Sequence, residues 1–288
     1  MPVLSGRVAV VTGASRGAGR GIAVALGEAG ATVYVAGRTT RSRPRSGLPG
    51  TIEDTAEEVT RRGGQGHAVR VDCTVESDVA ALFERVLEEQ GRLDILANAV
   101  WGASDGYGSM EEWQTAWGKP FWEQSGSDWQ TMMEAGPRAY LLASMHAVRR
   151  MGRQGGLIVG VTDGVVDGAA ADAYGGQLLW DLAHTCINRL MFGMSVECKR
   201  RKIAVITLMP GFMRTEQVLA FLTTDELKKA FKLEKSETPE YLGRAVAALA
   251  GDKGVMAKTG RIHFVADLAR QYGFTDVDGR YIPKFDPR

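Results

Sequence analysis

Residues 7–30 read RVAVVTGASRGAGRGIAVALGEAG, and this stretch decides the fold. Residues 7–12 are a short apolar run rich in valine, which is typical of a strand buried in a parallel sheet. A glycine-rich turn over residues 12–19 follows, and apolar residues then recur at helical spacing until Gly30. A strand, a glycine-rich turn and a helix in this order predict a phosphate-binding site. Glycine lets the backbone approach a pyrophosphate, and the helix N-terminus supplies unpaired N–H donors.

The end of the next strand predicts which nucleotide binds. Residues 32–36 form a second apolar run, and Arg38 follows where an NAD-preferring protein would carry an acidic residue for the ribose hydroxyls. An arginine suits a 2′-phosphate, so NADP(H) is favoured over NAD(H); the alternative is a solvated arginine. Arg16 could add a second guanidinium on the same side. The candidate cofactor-binding residues in this part of the chain are Gly13, Ser15, Arg16, Gly17, Gly19 and Arg38.

Composition and charge narrow the function classes. The chain has 288 residues, 44% of them hydrophobic, and a net charge of +1, so one domain with a full core is the simplest count. The near balance of charge argues against a nucleic-acid partner, although residues 39–47 form a basic loop rich in breakers. No apolar run reaches the roughly 18 residues of a membrane span. Three cysteines without metal-ligand spacing indicate a reducing compartment, so we expect a cytoplasmic enzyme without metal or membrane contact.

Strands and helices alternate along the rest of the chain. Further strands are predicted at residues 67–71, 93–97, 156–161 and 203–208, with helical segments between them. This repeated order predicts an α/β fold of Rossmann type, a single domain over residues 1–288 with a doubly wound parallel sheet. Ligands of such sheets bind outside the carboxyl ends of the strands. Six candidate residues fall there: Gly13, Arg38, Asp72, Asn98, Asp163 and Pro210.

Several motifs in this order resemble the short-chain dehydrogenase/reductase family. They are Thr12-Gly13-x-x-x-Gly17-x-Gly19, Ala97-Asn98-Ala99, and Pro210-Gly211-Phe212 with Thr215. The resemblance implies that Asp72 and Asn98 contact the cofactor, together with Pro210, Gly211 and Thr215 on the nicotinamide side. Within the family, residues 118–123 and 267–279 resemble the branch of dehydrogenase/reductase member 1 and its bacterial relatives.

The resemblance also implies an oxidoreductase with a small-molecule substrate, which interconverts a carbonyl and an alcohol. It implies a homodimer or homotetramer, because the helices that carry Arg138 and Glu197 commonly form the interface in the family. A Trp-rich insertion is expected at about residues 100–130, a substrate loop at about 212–240 and a C-terminal tail at 265–288. Most tryptophans lie in or beside that insertion, where such density usually builds core or interface and only one or two rings line a pocket.

The family's catalytic asparagine, serine, tyrosine and lysine are all replaced in a gapless comparison. The tyrosine and lysine positions, one helical turn apart, fall on Trp180 and His184. The serine position falls on Asp163 and the asparagine position on Gly136. Indole has only an N–H donor and cannot exchange a proton at neutral pH, so the inherited mechanism fails at its central step.

Other residues could take over the proton. His184 has the acid–base range to replace the lysine in part and to contact the cofactor, and Asp163 could orient or charge it. Tyr174 is the nearby tyrosine that could replace the missing acid, but an alignment that makes it the family tyrosine puts Leu178 at the lysine position. Other interpretations stay open: His184 as a structural helix histidine, Asp163 as a turn former, and Trp180 as a pocket wall.

Three functions are compatible with these residues. The first is an NADP(H)-dependent oxidoreductase for an apolar carbonyl, alcohol or enone, with Tyr174, His184, Asp163 or water in proton transfer. The second is a cyclase, isomerase or dehydratase that uses Asp163 and His184 as acid and base. The third is a non-catalytic NADP(H)-binding protein. The intact cofactor motifs favour the first.

Overall fold

Seven parallel strands form one sheet in the computed structural model, which describes residues 3–44, 47–102, 110–117, 119–152, 155–163 and 177–284. The strands are β1 (Val8–Thr12), β2 (Thr32–Gly37), β3 (Gln65–Arg70), β4 (Ile95–Asn98), β5 (Gly156–Val161), β6 (Ile203–Met209) and β7 (Ile262–Phe264). Their order in the sheet is β3-β2-β1-β4-β5-β6-β7. The order reverses between β1 and β4, which is the switch point where doubly wound sheets bind ligands. The predicted fold class is confirmed.

The helices cover both faces of this sheet. They are α1 (Gly17–Glu28), α2 (Ile52–Arg61), α3 (Glu76–Gln90), α4 (Met110–Trp117), α5 (Gly126–Trp129), α6 (Ala139–Arg150), α7 (Leu178–Cys198), α8 (Glu216–Phe221), α9 (Asp225–Ala230), α10 (Pro239–Gly251) and α11 (Val265–Tyr272). Short 3₁₀ turns lie at Phe121–Glu123, Lys199–Arg201, Leu233–Lys235 and Val255–Lys258, and a π-helical segment at Gln130–Arg138 leads into α6. None of the helices in these ranges is long and apolar enough to cross a membrane.

Alternating side chains of the strands build two hydrophobic cores. Ala9 and Val11 of β1 face the core formed with α1, α2, α10 and α11. Val8 and Val10 face the opposite core, formed with α3, α6 and α7. Because both faces are covered, the central strands read as continuous apolar runs. This packing holds the carboxyl ends of the strands at one rim, where the site lies.

Most predicted strands match the structure within two residues. The prediction at residues 156–161 coincides with β5, and the run at 203–208 extends by one residue in β6. The sequence pattern did not predict β7, a strand of three residues that pairs with β6. So short an edge strand carries no periodic signal of its own, and only the pairing with β6 defines it.

Candidate active site

The glycine turn after β1 is packed too closely for side chains. A Cβ on Gly13 would lie 2.6 Å from the carbonyl oxygen of Ala99, and one on Gly19 would lie 2.3 Å from the carbonyl oxygen of Gly13. Gly13 also has a φ of +66°, which favours glycine. The N-terminus of α1 therefore stands close against the sheet. Its N-cap residue, Arg16, supplies no side-chain cap, and the first turn of α1 holds no acidic residue.

One carboxylate from a distant part of the chain meets this helix end. The backbone N–H of Gly17 donates to Oε2 of Glu216 at 2.7 Å. Glu216 is the first residue of α8, and the side chain of Thr215 caps that helix by accepting from the N–H of Val218. Sequence analysis did not single out Glu216. The signal available was an acidic residue directly after the Thr215 motif.

The residues predicted to bind the 2′-phosphate contact Asp72 and the loop that follows β2. Nη1 of Arg38 lies 3.9 Å from Oδ2 of Asp72, and each side chain is about a quarter exposed. Oδ1 of Asp72 accepts from the backbone N–H and the hydroxyl of Thr74. Nε and Nη2 of Arg16 donate to the backbone carbonyls of Pro49 and Gly50. Arg16 thus binds the end of the loop that follows β2, and the guanidinium of Arg38 is half-buried beside Asp72.

A cavity of about 910 Å³ opens along the carboxyl ends of the strands. Most of the predicted site residues line it, whereas Gly19 and Asn98 do not, and Tyr174 lies outside the described residues. The predicted residues on its wall are Gly13, Ser15, Arg16, Gly17, Arg38, Asp72, Asp163, Trp180, His184, Pro210, Gly211 and Thr215. The fold therefore brings the cofactor candidates and the catalytic candidates into one continuous space.

Asn98 sits behind this wall. It is fully buried, and its Nδ2 donates to the hydroxyl of Ser144 at 3.2 Å, which ties β4 to α6. Its Oδ1 is buried without a hydrogen-bond partner among the described residues. The structure gives Asn98 a linking contact between two elements and leaves its role at the cofactor a prediction.

His184 and Asp163 meet through the backbone. The N–H of Asp163 donates to Nδ1 of His184 at 3.0 Å, and the hydroxyl of Thr162 lies 3.4 Å from the same nitrogen. Since Nδ1 accepts, the neutral ring carries its proton on Nε2. Burial lowers the pKa of His184 to about 3, so the imidazole is neutral at pH 7. Within the described part of the chain, its Nε2 is buried without a partner.

The carboxyl of Asp163 opens onto the cavity. Asp163 is exposed to the cavity, and desolvation by the protein around it raises the pKa of its carboxyl to about 7. A carboxyl with this pKa is present in both the protonated and the ionised form near neutral pH. General acid–base catalysis is most efficient with such a group. The structure thus separates two roles: Asp163 presents a titrating group, and His184 holds its backbone.

Two tryptophans enclose His184. The ring centroids of Trp101 and His184 are 4.6 Å apart in a stacked arrangement, and Trp180 lies 4.6 Å from His184 and 4.9 Å from Trp101. Both indoles also line the cavity. This position fits the predicted role of Trp180 as a pocket wall. Trp101, from the Trp-rich insertion, forms the wall together with it.

The indole of Trp101 also fills the space beside Gly136, where a side chain would otherwise lie. The chain kinks before α6, where Ala135 and Gly136 leave helical geometry and Pro137 follows. A Cβ on Gly136 would lie 3.2 Å from Cζ3 of Trp101. The indole therefore occupies the direction in which a side chain at position 136 would project.

Tyr140 was missed by the sequence analysis. It is buried on α6, one helical turn after Gly136, and it lines the cavity. Its hydroxyl donates to the backbone carbonyl of Val161 at 3.1 Å, and burial raises its pKa well above the usual value. The spacing of four residues from Gly136 was the signal that could have found it. With its proton held this firmly, Tyr140 supports the wall near Asp163.

Large apolar side chains from two parts of the chain line the cavity, beside Lys232, Lys235 and Lys284. Phe212, Phe221 and Phe231 belong to the region predicted as the substrate loop. Ile282 belongs to the C-terminal tail, is 2% exposed and lines the same cavity. The sequence pattern did not predict that the tail reaches the site, because Ile282 is one of several apolar residues in it.

A buried acid anchors the loop after β6. The backbone N–H of Gly211 donates to Oε2 of Glu237 at 2.9 Å, and the N–H of Glu237 donates to the carbonyl of Phe212. Glu237 is 1% exposed, and desolvation together with the charge of Asp276 raises its pKa to about 8, although the Gly211 N–H and Arg214 act in the opposite direction. Oε1 of Glu237 has no partner among the described residues. The loop is therefore held by a carboxyl that is protonated at neutral pH.

Comparison with known proteins identifies the family. A family model described as short chain dehydrogenase matches residues 7–225, so the chain belongs to the short-chain dehydrogenase/reductase family, whose members are oxidoreductases that bind NAD(P)(H). The chain is 35% identical over 291 residues to dehydrogenase/reductase SDR family member 1 of Mus musculus, covering 98% of this chain and 87% of the relative. The human protein of that name is 34% identical with the same coverage. The predicted branch of the family is confirmed.

More distant relatives share the architecture. A 7alpha-hydroxysteroid dehydrogenase of Clostridium sardiniense is 26% identical, covering 92% of this chain and 94% of the relative. A short chain dehydrogenase from Mycobacterium thermoresistibile superposes with a TM-score of 0.79 at 23% identity, covering 98% of this chain and 95% of the other. A hydroxysteroid dehydrogenase from Escherichia coli gives a TM-score of 0.71 at 22% identity over 91% of this chain and 96% of the other. These structures establish the fold alone.

Proposed function

We propose that the protein is an NADP(H)-dependent oxidoreductase that acts on a carbonyl, alcohol or enone of an apolar small molecule. The observation that carries this proposal is the position of Asp163. Its carboxyl, with a pKa of about 7, opens onto the same cavity that the glycine turn of α1 lines. Nucleotide, substrate and a titrating group thus share one space.

The nucleotide end fits NADP(H). The bare backbone of Gly13 and Gly17 allows a diphosphate to approach the N-terminus of α1, where N–H donors and the helix dipole favour anions. Arg38 would hold the 2′-phosphate, and Asp72 the adenosine side. Gly211 and Thr215 line the same cavity, and the nicotinamide would lie on their side of it. NADP(H), when bound, supplies or accepts a hydride at the nicotinamide.

Asp163 exchanges the proton in this proposal. In its protonated form it donates to the oxygen or carbon that gains a proton during reduction, and in its ionised form it accepts that proton back during oxidation. His184 is neutral, so it contributes no positive charge to the proton transfer. It positions Asp163 by accepting the backbone N–H at Nδ1.

The residues at the family's four catalytic positions support a division of roles in which Asp163 exchanges the proton and His184 positions it. Trp180 and Trp101 form an apolar wall beside Asp163 and take up the space of two polar groups. Such a wall raises the pKa of a nearby carboxyl and favours an apolar or aromatic substrate face. We therefore infer that proton exchange has moved from the tyrosine position to the serine position, at Asp163.

We further propose a homodimer or homotetramer in a reducing compartment such as the cytoplasm. Large apolar side chains stay exposed along α6 and α7, which is unusual unless another surface covers them. They are Leu141, Leu178, Leu182, Phe192 and Val196. Cys73, Cys186 and Cys198 are free thiols, as expected where disulfides do not form. Light scattering of the purified protein tests the assembly, and a monomer at micromolar concentration would contradict it.

The test of function follows hydrogen from the cofactor. The purified protein is titrated with NADPH and NADH by tryptophan fluorescence and then offered apolar ketones and enones with NADPH deuterated at the transferred position. Deuterium in the product supports hydride transfer, and a strong loss of turnover in Asp163→Asn supports its role. Tyr140→Phe, which removes a hydroxyl already bound to Val161, is the matched control and should keep most of the turnover. If product forms without deuterium, hydride transfer is refuted, and a non-redox acid–base reaction at Asp163 takes its place.

A further inference from the structure

The carboxylate of Glu216 occupies the anion position that a dinucleotide needs. Its Oε2 accepts the N–H of Gly17, the first residue of α1, at 2.7 Å. The helix end has no acidic residue of its own in the first turn and no side-chain cap from Arg16. Glu216 therefore supplies, from across the site, the negative charge that this end of the helix attracts.

A diphosphate and this carboxylate would compete for one place. Glu216 already occupies the N–H of Gly17, the first residue of α1, and Glu216, Thr215 and Gly17 line the same part of the chain's cavity wall. Both groups are anions, and each gains from the N–H of Gly17 and the dipole of α1. Two like charges at this helix end repel each other, so one must leave when the other arrives.

We propose that Glu216 is a latch that competes with the cofactor diphosphate for the N-terminus of α1 and closes α8 over the unliganded cradle. This inference rests on the proposed nucleotide site and does not depend on the hydride chemistry. Opening the latch moves Glu216, and with it α8, whose Val218 and Phe221 line the cavity. Nucleotide binding is thereby coupled to the shape of the substrate side.

The latch predicts a gain of affinity when the charge is removed. Glu216→Gln keeps the size of the side chain and lacks the charge that opposes a diphosphate. We expect NADPH and ADP, which both carry a diphosphate, to bind about tenfold more tightly to the variant, equivalent to about 1.4 kcal/mol. Adenosine 2′-monophosphate carries the 2′-phosphate without the diphosphate, and its affinity should stay unchanged.

A charge control separates the latch from general electrostatics. Oε1 of Glu240 lies 3.8 Å from Nη1 of Arg20 on α1, so Glu240→Gln removes one negative charge near the same helix without touching Gly17. The experiment is a calorimetric titration of wild type, Glu216→Gln, Glu216→Ala and Glu240→Gln with the three ligands. Circular dichroism confirms that each variant is folded. Tighter NADPH and ADP binding in both Glu216 variants, with no change in Glu240→Gln, supports the latch.

Other outcomes overturn it in distinguishable ways. If wild type binds NADPH and the Glu216 variants bind it equally or more weakly, the latch is wrong and the nucleotide site stands. If adenosine 2′-monophosphate gains as much as NADPH, the effect is one of net charge and the latch is also wrong. If no protein in the series binds any nucleotide, both the latch and the proposed cofactor are refuted. Binding by the variants alone would support a strong latch.

Discussion

Glu237→Gln is expected to make the fold more stable, and increasingly so as the pH rises from 5 to 8. Glu237 is buried beneath the loop after β6, and its pKa is raised from 4.5 to about 8. Glutamine has nearly the same shape as the protonated acid, and its amide oxygen can accept the N–H of Gly211 as Oε2 does. The variant keeps the contact and removes the titration.

The sign follows from the two pKa values. Below pH 4.5 the carboxyl is protonated in both the folded and the unfolded chain, and its burial carries no penalty of ionisation. Between pH 4.5 and 8 only the unfolded chain loses the proton, so the free energy of unfolding of the wild type falls as pH rises. One pKa unit corresponds to about 1.4 kcal/mol, which makes the loss roughly 3 kcal/mol at pH 7. Above pH 8 the loss stops growing.

Charged and polar neighbours of Glu237 also affect its pKa and therefore the size of the stability change. Asp276 raises the pKa further, whereas Arg214 and the Gly211 N–H lower it, and Tyr241 lies in the same buried cluster. Arg214 already pairs with Asp276 at 3.3 Å, so its charge is largely compensated. We therefore expect the stability advantage of Glu237→Gln over wild type to grow by about 3 kcal/mol between pH 5 and pH 8.

Urea unfolding at half-unit pH steps measures this difference. Other titrating groups, including Asp163 and His184, change both proteins alike and cancel in the comparison. Glu240→Gln, at a glutamate that is 21% exposed beside Arg20, is the control and should track the wild type. A constant offset between Glu237→Gln and wild type across the range would show that Glu237 is ionised in the folded protein and would refute the reasoning.

Three further predictions concern the site. In the reductive direction, kcat/KM of the wild type should fall as pH rises above about 7, because Asp163 loses its proton, and rate profiles of Asp163→Asn should be low and flat. Arg38→Ala should weaken NADPH binding at least tenfold and leave NADH unchanged in fluorescence titrations; equal losses for both would remove the 2′-phosphate role. Gly136→Asn should lower the free energy of unfolding by about 1–3 kcal/mol, because the new side chain would crowd the indole of Trp101. Gly152→Asn, with open space around it, should change the free energy of unfolding little, and thermal unfolding measures both.

Local chemistry was sufficient to predict the scaffold, and the predicted nucleotide end rests on the same kind of local pattern. The valine run of β1, the glycine turn and Arg38 are close in sequence, and each acts through properties of the backbone or of one side chain. Parallel strands then place their carboxyl ends at one rim, so the sequence alone predicts Asp72, Asp163 and Pro210 at the same edge. The family comparison and the sheet order bear this architecture out.

The proposed catalytic end depends on contacts that no local pattern contains. Sequence analysis named Asp163 and His184 together, but only the structure shows that Nδ1 of His184 accepts the backbone N–H of Asp163. Burial beside Trp101 and Trp180 lowers the pKa of His184, and desolvation raises the pKa of Asp163 to about 7. A pKa depends on every atom around the group, and these atoms come from distant segments.

The parallel sheet, the glycine turn and the arginine after β2 follow from residue type and spacing, so they can be predicted from the sequence. The contacts of Glu216 with Gly17 and of Glu237 with Gly211, and the place of Ile282 on the cavity wall, depend on the three-dimensional packing. These partners are far apart in the chain. Their meeting depends on how helices and loops pack around the finished sheet, which is a property of the whole fold and of no single segment.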